Sequence, residues 1–358
     1  MTASVRVSEV QDIAALEARW RALEQRANAP IFQSWTWTGC LAAERFTDPV
    51  LIEATEAGRT VALALLNRVR VGPGQPDLLY LGESGDPALD CVYVEHNGVL
   101  AEAGREAALT RACLAAVAHR YVVVLSGVGG DVLQAARDVA GTVWVAKVSE
   151  APFVDLAAVR ATGGNYLAGL SANTRQQVRR SDRHFAERGV LQVSMAASAS
   201  EAHRMLDRMA DLHQAAWVAR GEPGSFAASF FRRFHHALID VGFPRGQTAL
   251  TEVTGGGETV GILYNLRDDG GIRAYQSGFA YAPADNKAKP GLTCHGAAID
   301  QALAEGAMRY DFLAGGDRYK RSLANRTERL YWLEAGPSWA LRLLRRQVRA
   351  RLRAVWSR

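Results

Sequence analysis

The chain has 358 residues, enough for two domains of ~150 residues each. At 48% hydrophobic and 22% charged, with 33 Gly and 11 Pro, the composition excludes a disordered, collagen-like or low-complexity chain and predicts a soluble globular one. The net charge of +5 sits at one end: after Glu334 there are seven arginines (Arg342, Arg345, Arg346, Arg349, Arg351, Arg353, Arg358) and no acidic residue, so the rest of the chain stands at −2.

From the N-terminus, charges at Arg6, Glu9 and Asp12 precede any apolar block, so no secretory signal is read and the expected compartment is the cytoplasm. Helical spacing follows in Ile13, Leu16, Trp20 and Leu23, then strand-like runs at Val50–Ala54, Val61–Arg70 and Leu78–Leu81. An Ala-rich helix from Glu102 to Ala118 feeds a strand at Tyr121–Leu125, a glycine turn at Gly127–Gly130 and a further helix. The apolar run Ala112–Leu125 is broken by His119 and Arg120 and falls short of the ~20 residues that span a bilayer. A short strand, Val143–Val148, closes this α/β half.

Asn173 and Gln176 have the spacing of a capping box, which predicts a helix from there to about Arg188, stopped by Gly189. A longer helix covers Glu201–Arg220, and Phe230, Phe234, Leu238 and Val241 mark another that ends at Gly242. The period then changes to strands at Thr248–Val253, Thr259–Leu266 and Ile272–Ala280, joined by hairpin turns at Gly255–Gly257 and Asp268–Gly271. Pro290 opens a helix with Leu292, Ile299 and Leu303 inward and Gly306 as its stop, and Met308–Leu313 is the last strand. The predicted class is α/β in α+β layers, divided as 1–150, 151–335 and a basic amphipathic tail helix over 336–358.

The four cysteines, Cys40, Cys91, Cys113 and Cys294, are scattered without the spacing of a zinc site or redox dithiol. They read as small buried hydrophobes, and no metal is expected. Gly127-Val-Gly-Gly130 follows a strand and precedes a helix, but Val132 stands where a dinucleotide fingerprint needs its third glycine.

Several segments together resemble a known family: Ser171-Ala-Asn-Thr-Arg-Gln-Gln-Val-Arg-Arg180, Leu212-His-Gln-Ala-Ala-Trp217, Tyr275-Gln-Ser-Gly-Phe279, Lys289-Pro-Gly291, Tyr310-Asp-Phe-Leu-Ala-Gly315 with Tyr319-Lys320, and upstream Phe32-Gln-Ser-Trp35. In order and combination they are similar to the BioF2-like acetyltransferase domain of the GNAT superfamily, CelD/BcsL type, which is linked to bacterial exopolysaccharide and cellulose synthesis. That family is distantly similar to the FemABX peptidyltransferases. The resemblance implies two tandem GNAT-like domains with mixed, largely antiparallel sheets. It also implies acyl transfer from a thioester, usually acyl-CoA, to an amine or hydroxyl of a small acceptor.

Within those segments the chemistry-bearing residues divide by role. Arg175, Arg179 and Arg183 fall on one helical face with Arg180 beside it, and could clamp phosphates of CoA, a nucleotide-linked acceptor or tRNA. Lys289 and Gly291 stand where GNAT enzymes place the pyrophosphate of CoA, at a helix start suited to an anion. The family's usual Gln/Arg-x-x-Gly-x-Gly/Ala loop is absent there, which leaves a variant CoA loop or another donor. His213 is a candidate base, Asp311 could orient a substrate amine or act as base, and Tyr319 or Lys320 could stabilise the developing oxyanion or protonate the leaving thiolate. His213, Asp311 and Lys320 are expected to line one cleft. Trp217, Tyr275, Gln276 and Ser277 are candidate substrate contacts, whereas His295 reads as core.

The leading function is therefore an acyltransferase with direct attack in a ternary complex, since no Cys or Ser nucleophile constellation is visible. Two alternatives stand beside it: a Fem-like transferase using aminoacyl-tRNA, and a non-catalytic accessory of a polysaccharide synthase. In the tail, Trp339, Leu343, Leu344, Val348, Leu352, Val355 and Trp356 interleave with the seven arginines. Such a helix could lie on an anionic membrane surface, which would make the protein peripheral at the inner membrane, or grip nucleic acid, or it could pack on the body.

Overall fold

The computed structural model describes residues 3–72, 74–281 and 288–347, with side chains as far as residue 343. The tail positions Val348, Leu352, Val355 and Trp356 lie outside the described residues. In chain order the first elements are β1 (Ser4–Glu9), α1 (Glu17–Glu24), the single turns α2 (Trp35–Thr38) and α3 (Ala42–Arg45), β2 (Pro49–Glu56), β3 (Arg59–Val69) and β4 (Leu78–Leu81). Next come β5 (Leu100–Ala101), α4 (Glu106–Ala115), β6 (Val122–Val128), α5 (Gly130–Val139), β7 (Thr142–Asp155), α6 (Leu156–Ala161), α7 (Tyr166–Gly169) and α8 (Ala172–Ala186). The chain continues through β8 (Leu191–Met195), α9 (Ala199–Val218), α10 (Ser229–Gly242), β9 (Thr248–Gly255), β10 (Glu258–Asp268) and β11 (Gly271–Phe279). It ends with α11 (Pro290–Ala304), β12 (Arg309–Asp311), α12 (Arg318–Leu323), β13 (Arg326–Gly336) and α13 (Ser338–Gln347). No helix among the described residues is long and apolar enough to cross a membrane.

The fold is mixed α/β in two compact units, Met1–Ser149 with Arg329–Arg358, and Glu150–Glu328. Residues 329–335 count with the first unit because β13 pairs antiparallel with β6. The predicted short strand at Val143–Val148 is in fact the first half of the 14-residue β7. Four strands escaped the sequence reading, one of them the two-residue β5. β1 and β8 are short with mostly exposed or half-buried residues, and β13 opens on Arg-Thr-Glu-Arg, so none shows a clear apolar alternation.

In the first unit the strand order is β1-β2-β3-β4-β6-β13. Both faces of β3, β4 and β6 are covered, which is why they read as unbroken apolar runs. Ile52, Ala64, Leu79 and Leu125 meet Leu109 of α4 and Leu133 of α5 on one face. On the other, Leu51, Leu63 and Leu65 meet Trp20, Leu23 and Trp35, while Leu78, Tyr80, Val122 and Val124 meet Ala340 and Leu341 of α13.

The second unit orders its strands β7-β12-β11-β10-β9-β8. The hairpin from β9 to β10 turns on Gly256 and Gly257, at φ of 59° and 86°, as a glycine pair in this position should. The cap of α8 is Ser171, whose Oγ accepts from the Thr174 N–H at 3.2 Å, two residues ahead of the predicted Asn173. Ser198 caps α9 the same way, and Glu201 reaches back to the Ala197 N–H at 2.8 Å. β11 carries a bulge: Tyr264 faces Gln276 but Asn265 faces Ala274, so Tyr275 is the extra residue. α9 crosses β11 at Gly278, where a Cβ would stand 2.3 Å from the Met209 carbonyl oxygen, so only glycine allows this approach.

Each unit contains one parallel strand pair that parts early. In the first, β4 and β6 pair from Leu78↔Val122 to Tyr80↔Val124, and β6 then leaves β4 and runs on to Val128, where Asn97 bridges to it in parallel. The opening holds a polar cluster that the sequence reading missed. The buried Glu83 accepts from the Ser126 hydroxyl at 2.6 Å, and Asp90 accepts from the Ser84 and Gly85 N–H groups at 2.8 Å. Burial, and then the charge of Asp90, push the Glu83 carboxyl up to about 8 from an ordinary 4.5. Between those values the folded chain keeps a proton that the unfolded chain releases, so stability falls as pH rises from 4.5 to 8 and then levels off. Glu83→Gln should abolish that fall. In denaturation melts the variant should match the wild type near pH 4.5 and exceed it above pH 8, by at least ~1.4 kcal/mol, the worth of one pKa unit.

Candidate active site

In the second unit β11 and β12 pair in parallel at only two positions, Ile272↔Tyr310 and Arg273↔Asp311. β11 then continues to Phe279, whereas the chain after β12 turns away at Leu313, a non-glycine residue held at φ 61°. The carboxylate that fixes this parting is Asp311, which is completely buried. Its Oδ2 accepts from Arg273 at 3.0 Å and lies 2.7 Å from Arg309, and its Oδ1 accepts from the Leu313 N–H at 2.8 Å. Arg273 also bridges to Asp268 at 3.2 Å. Both oxygens of Asp311 are engaged within the fold, so the base role expected of it does not fit its surroundings. It shapes the loop instead.

That loop carries the other two candidates from this segment. Lys320 donates from Nζ to the Ala314 carbonyl at 2.8 Å. Tyr319 stacks on His295 with ring centres 5.6 Å apart, and burial pushes its hydroxyl well above the ordinary range. His295, set aside as core by the sequence reading, accepts from or donates to Tyr310 Oη at 2.9 Å through Nδ1. Its Nε2 has no partner among the described residues. Burial, and then the charge of Lys320, pull this ring down to about 3, so it is neutral. Only its ring stacking marks it out, and sequence spacing carries no such signal.

His213 lies on the last turns of α9, buried. Its Nδ1 stands 3.2 Å from the Ser277 carbonyl oxygen, which can only accept, so Nδ1 carries the proton. Nε2 is then an open lone pair, buried and without a partner among the described residues. Burial lowers the affinity of this ring for a second proton, with the Ser277 bond opposing and Arg220 assisting. Trp217 lies 5.7 Å from it and Phe226 5.4 Å, ring centre to ring centre. From Trp217 a continuous series of contacts reaches the far wall: Arg220 lies 5.7 Å from both the Trp217 and Tyr281 rings, and Tyr281, Phe279 and His295 follow at 5.9 Å steps. A series of ring and guanidinium contacts thus runs from His213 to Tyr319, through the buried Phe279 and His295.

Of the substrate candidates, Tyr275 is buried against His235 at 4.9 Å, whereas Gln276 and Ser277 are half-buried and Gln276 donates to Ser225 Oγ at 3.4 Å. The arginines separate. Arg175 donates to the Ala168 and Leu170 carbonyls at 3.1 and 3.2 Å, capping α7, so it is a structural cap and not a phosphate clamp. Arg179, Arg180 and Arg183 remain exposed on α8. Lys289 lies against the same helix, its Nζ donating to Gln177 Oε1 at 2.7 Å and its N–H to Ser181 Oγ at 3.1 Å. Gly291 sits where a Cβ would be 3.4 Å from the Phe279 ring.

Residues 172–321 match the family model described as acetyltransferase (GNAT) domain. No curated protein matches the chain. Among solved structures the chain is similar to FemX at 11% identity, covering 96% of this chain and 99% of that one with a TM-score of 0.59. It is similar to L-PGS from Bacillus licheniformis at 12% identity, covering 92% and 93% with a TM-score of 0.55. A conserved protein of unknown function from Bacteroides thetaiotaomicron gives 10% identity, 92% and 99% coverage and a TM-score of 0.57. At such identities the likeness is one of fold.

If the buried charges set the parting of β11 and β12, Arg273→Met should destabilise the chain by about 3–5 kcal/mol, because Asp311 and Asp268 lose a common partner. Urea unfolding measures this, and a loss below ~1 kcal/mol would place the constraint elsewhere.

Proposed function

We propose that the chain is an acyltransferase that moves an acyl group from acyl-CoA to an amine or hydroxyl of a small acceptor. The single observation that carries this reading is His213: a neutral imidazole, oriented by the Ser277 carbonyl, with its Nε2 lone pair unused. The surrounding residues fit a CoA donor. The 15-residue α11 opens on Pro290, which has no N–H, and Leu292 and Thr293 donate to the Lys289 carbonyl. Gly291 therefore offers the N–H for a pyrophosphate, while Lys289, Arg179 and Arg180 supply positive charge. When bound, acyl-CoA supplies the thioester carbonyl as electrophile.

His213 Nε2 takes the proton from the acceptor as the acceptor's lone pair bonds to the acyl carbon. Tyr319, kept protonated by burial, donates a hydrogen bond to the departing thiolate, which takes up a proton from solvent as His213 releases its own there. Lys320 holds the Ala314 carbonyl and with it the shape of the turn. Asp311 acts through position alone. Trp217, Gln276 and Ser277 contact the acceptor. Cys113 and Cys294 are buried with thiols pushed up, Cys113 to about 12, which supports direct attack over a cysteine intermediate. The BioF2-like segments favour a sugar or lipid precursor of exopolysaccharide or the cell envelope as acceptor, used at the cytoplasmic side.

A second reading is a Fem-like transferase drawing on aminoacyl-tRNA, supported by the fold likeness to FemX and the exposed arginines of α8. Titration calorimetry with CoA, acetyl-CoA and bulk tRNA separates the two, and binding of neither supports the accessory role. Under the leading reading CoA binds, and His213→Gln lowers kcat about 100-fold while leaving the CoA Kd unchanged. Because burial lowers the proton affinity of His213, the acid limb of the kcat–pH profile should fall below pH 6.5. Equal kcat in His213→Gln removes the base.

A further inference from the structure

We propose that the first unit docks onto an anionic phospholipid bilayer through the root of α13, a surface separate from the acyl-transfer site and independent of that reading. The helix has two apolar faces. Ala340 and Leu341 are buried against the sheet and already anchor it. Trp339 and Leu343, one turn apart, point outward and are 53% and 49% exposed, with the exposed Arg342 next to Leu343. An indole and an isobutyl group left outside a helix that is already packed add nothing to the core. Beside them lies a groove of about 320 Å³ lined by Thr142, Val143, Trp144, Ser338, Leu341 and Arg342. Its lining is aliphatic and indole, with a guanidinium and two hydroxyls among it, and Thr142 and Ser338 hydrogen-bond to each other at 2.7 Å.

Charge selects the occupant. Arg342 is the first of seven arginines in a stretch with no acid, so the partner surface carries dense negative charge. Nucleic acid meets that requirement, but the outward Trp339–Leu343 pair and the apolar groove need acyl chains and the interfacial layer where indoles partition. An anionic leaflet supplies both, with phosphates for the arginines and hydrocarbon for the groove.

The full-length protein should co-sediment with vesicles of equimolar phosphatidylglycerol and phosphatidylcholine but not with phosphatidylcholine alone, and binding should weaken with added salt. Brominated acyl chains should quench its tryptophan fluorescence, and Trp144→Phe and Trp339→Phe should each remove part of the quenched signal. Trp339→Ser combined with Leu343→Ser should weaken vesicle binding roughly tenfold or more at unchanged Tm, since both residues are exposed. The proposal is overturned by equal sedimentation with both vesicle types, by wild-type binding in the double variant, or by a sharp Tm loss in it without vesicle binding. Binding of tRNA or duplex DNA with no vesicle binding overturns it equally.

Discussion

The second unit is organised around a buried carboxylate. Asp311 ends β12 between Arg273 and Arg309 and uses its other oxygen to hold the Leu313 N–H. The arrangement costs desolvation of every charge in it, and hydrophobic residues could fill the same space at least as stably. What the charges supply is position: the two strands stay paired for two residues and then separate, with a left-handed Leu313 at the break. The turn that follows places Tyr319 and Lys320, and Tyr319 in turn stacks on His295 of α11.

The other wall depends on a different constraint, close approach. Gly278 lets α9 lie directly on β11, and that contact brings His213 to the Ser277 carbonyl. Aromatic rings then exclude water from both histidines and keep them neutral. A neutral imidazole with one nitrogen anchored and the other open is prepared for a proton transfer, and burial rather than a partner carboxylate prepares it. The same parallel opening recurs in the first unit, filled there by Glu83, Ser126 and Asp90. One architectural device thus holds two chemically different clusters.

The helices and central strands were legible because their cores impose a period: Met205 and Met209 on α9, Phe230 and Phe234 on α10, and the glycine pair between β9 and β10. Edge strands were not, since β8 has no buried residue to betray it. Among site residues, the neighbourhood of His213 could be suspected from its motif, but its tautomer and its open nitrogen could not. Arg175 shows the opposite error. It shares a helical face with Arg179 and Arg183, yet its guanidinium turns back to the carbonyls of α7, a contact that spacing along one helix cannot reveal.

By itself, then, the sequence determined the α/β alternation, the two-part organisation, the order of the motif segments and the concentration of positive charge at the C-terminal end. These follow from local periodicity and composition, which each segment carries alone. Tertiary structure alone decided that Asp311 is locked between guanidiniums, that His295 belongs with Tyr319, and that Trp339 and Leu343 face outward while Leu341 is buried. Each depends on which distant side chain lies within about 3–6 Å, the range over which hydrogen bonds and ring contacts act. The chain's linear order does not encode that distance until its strands have paired.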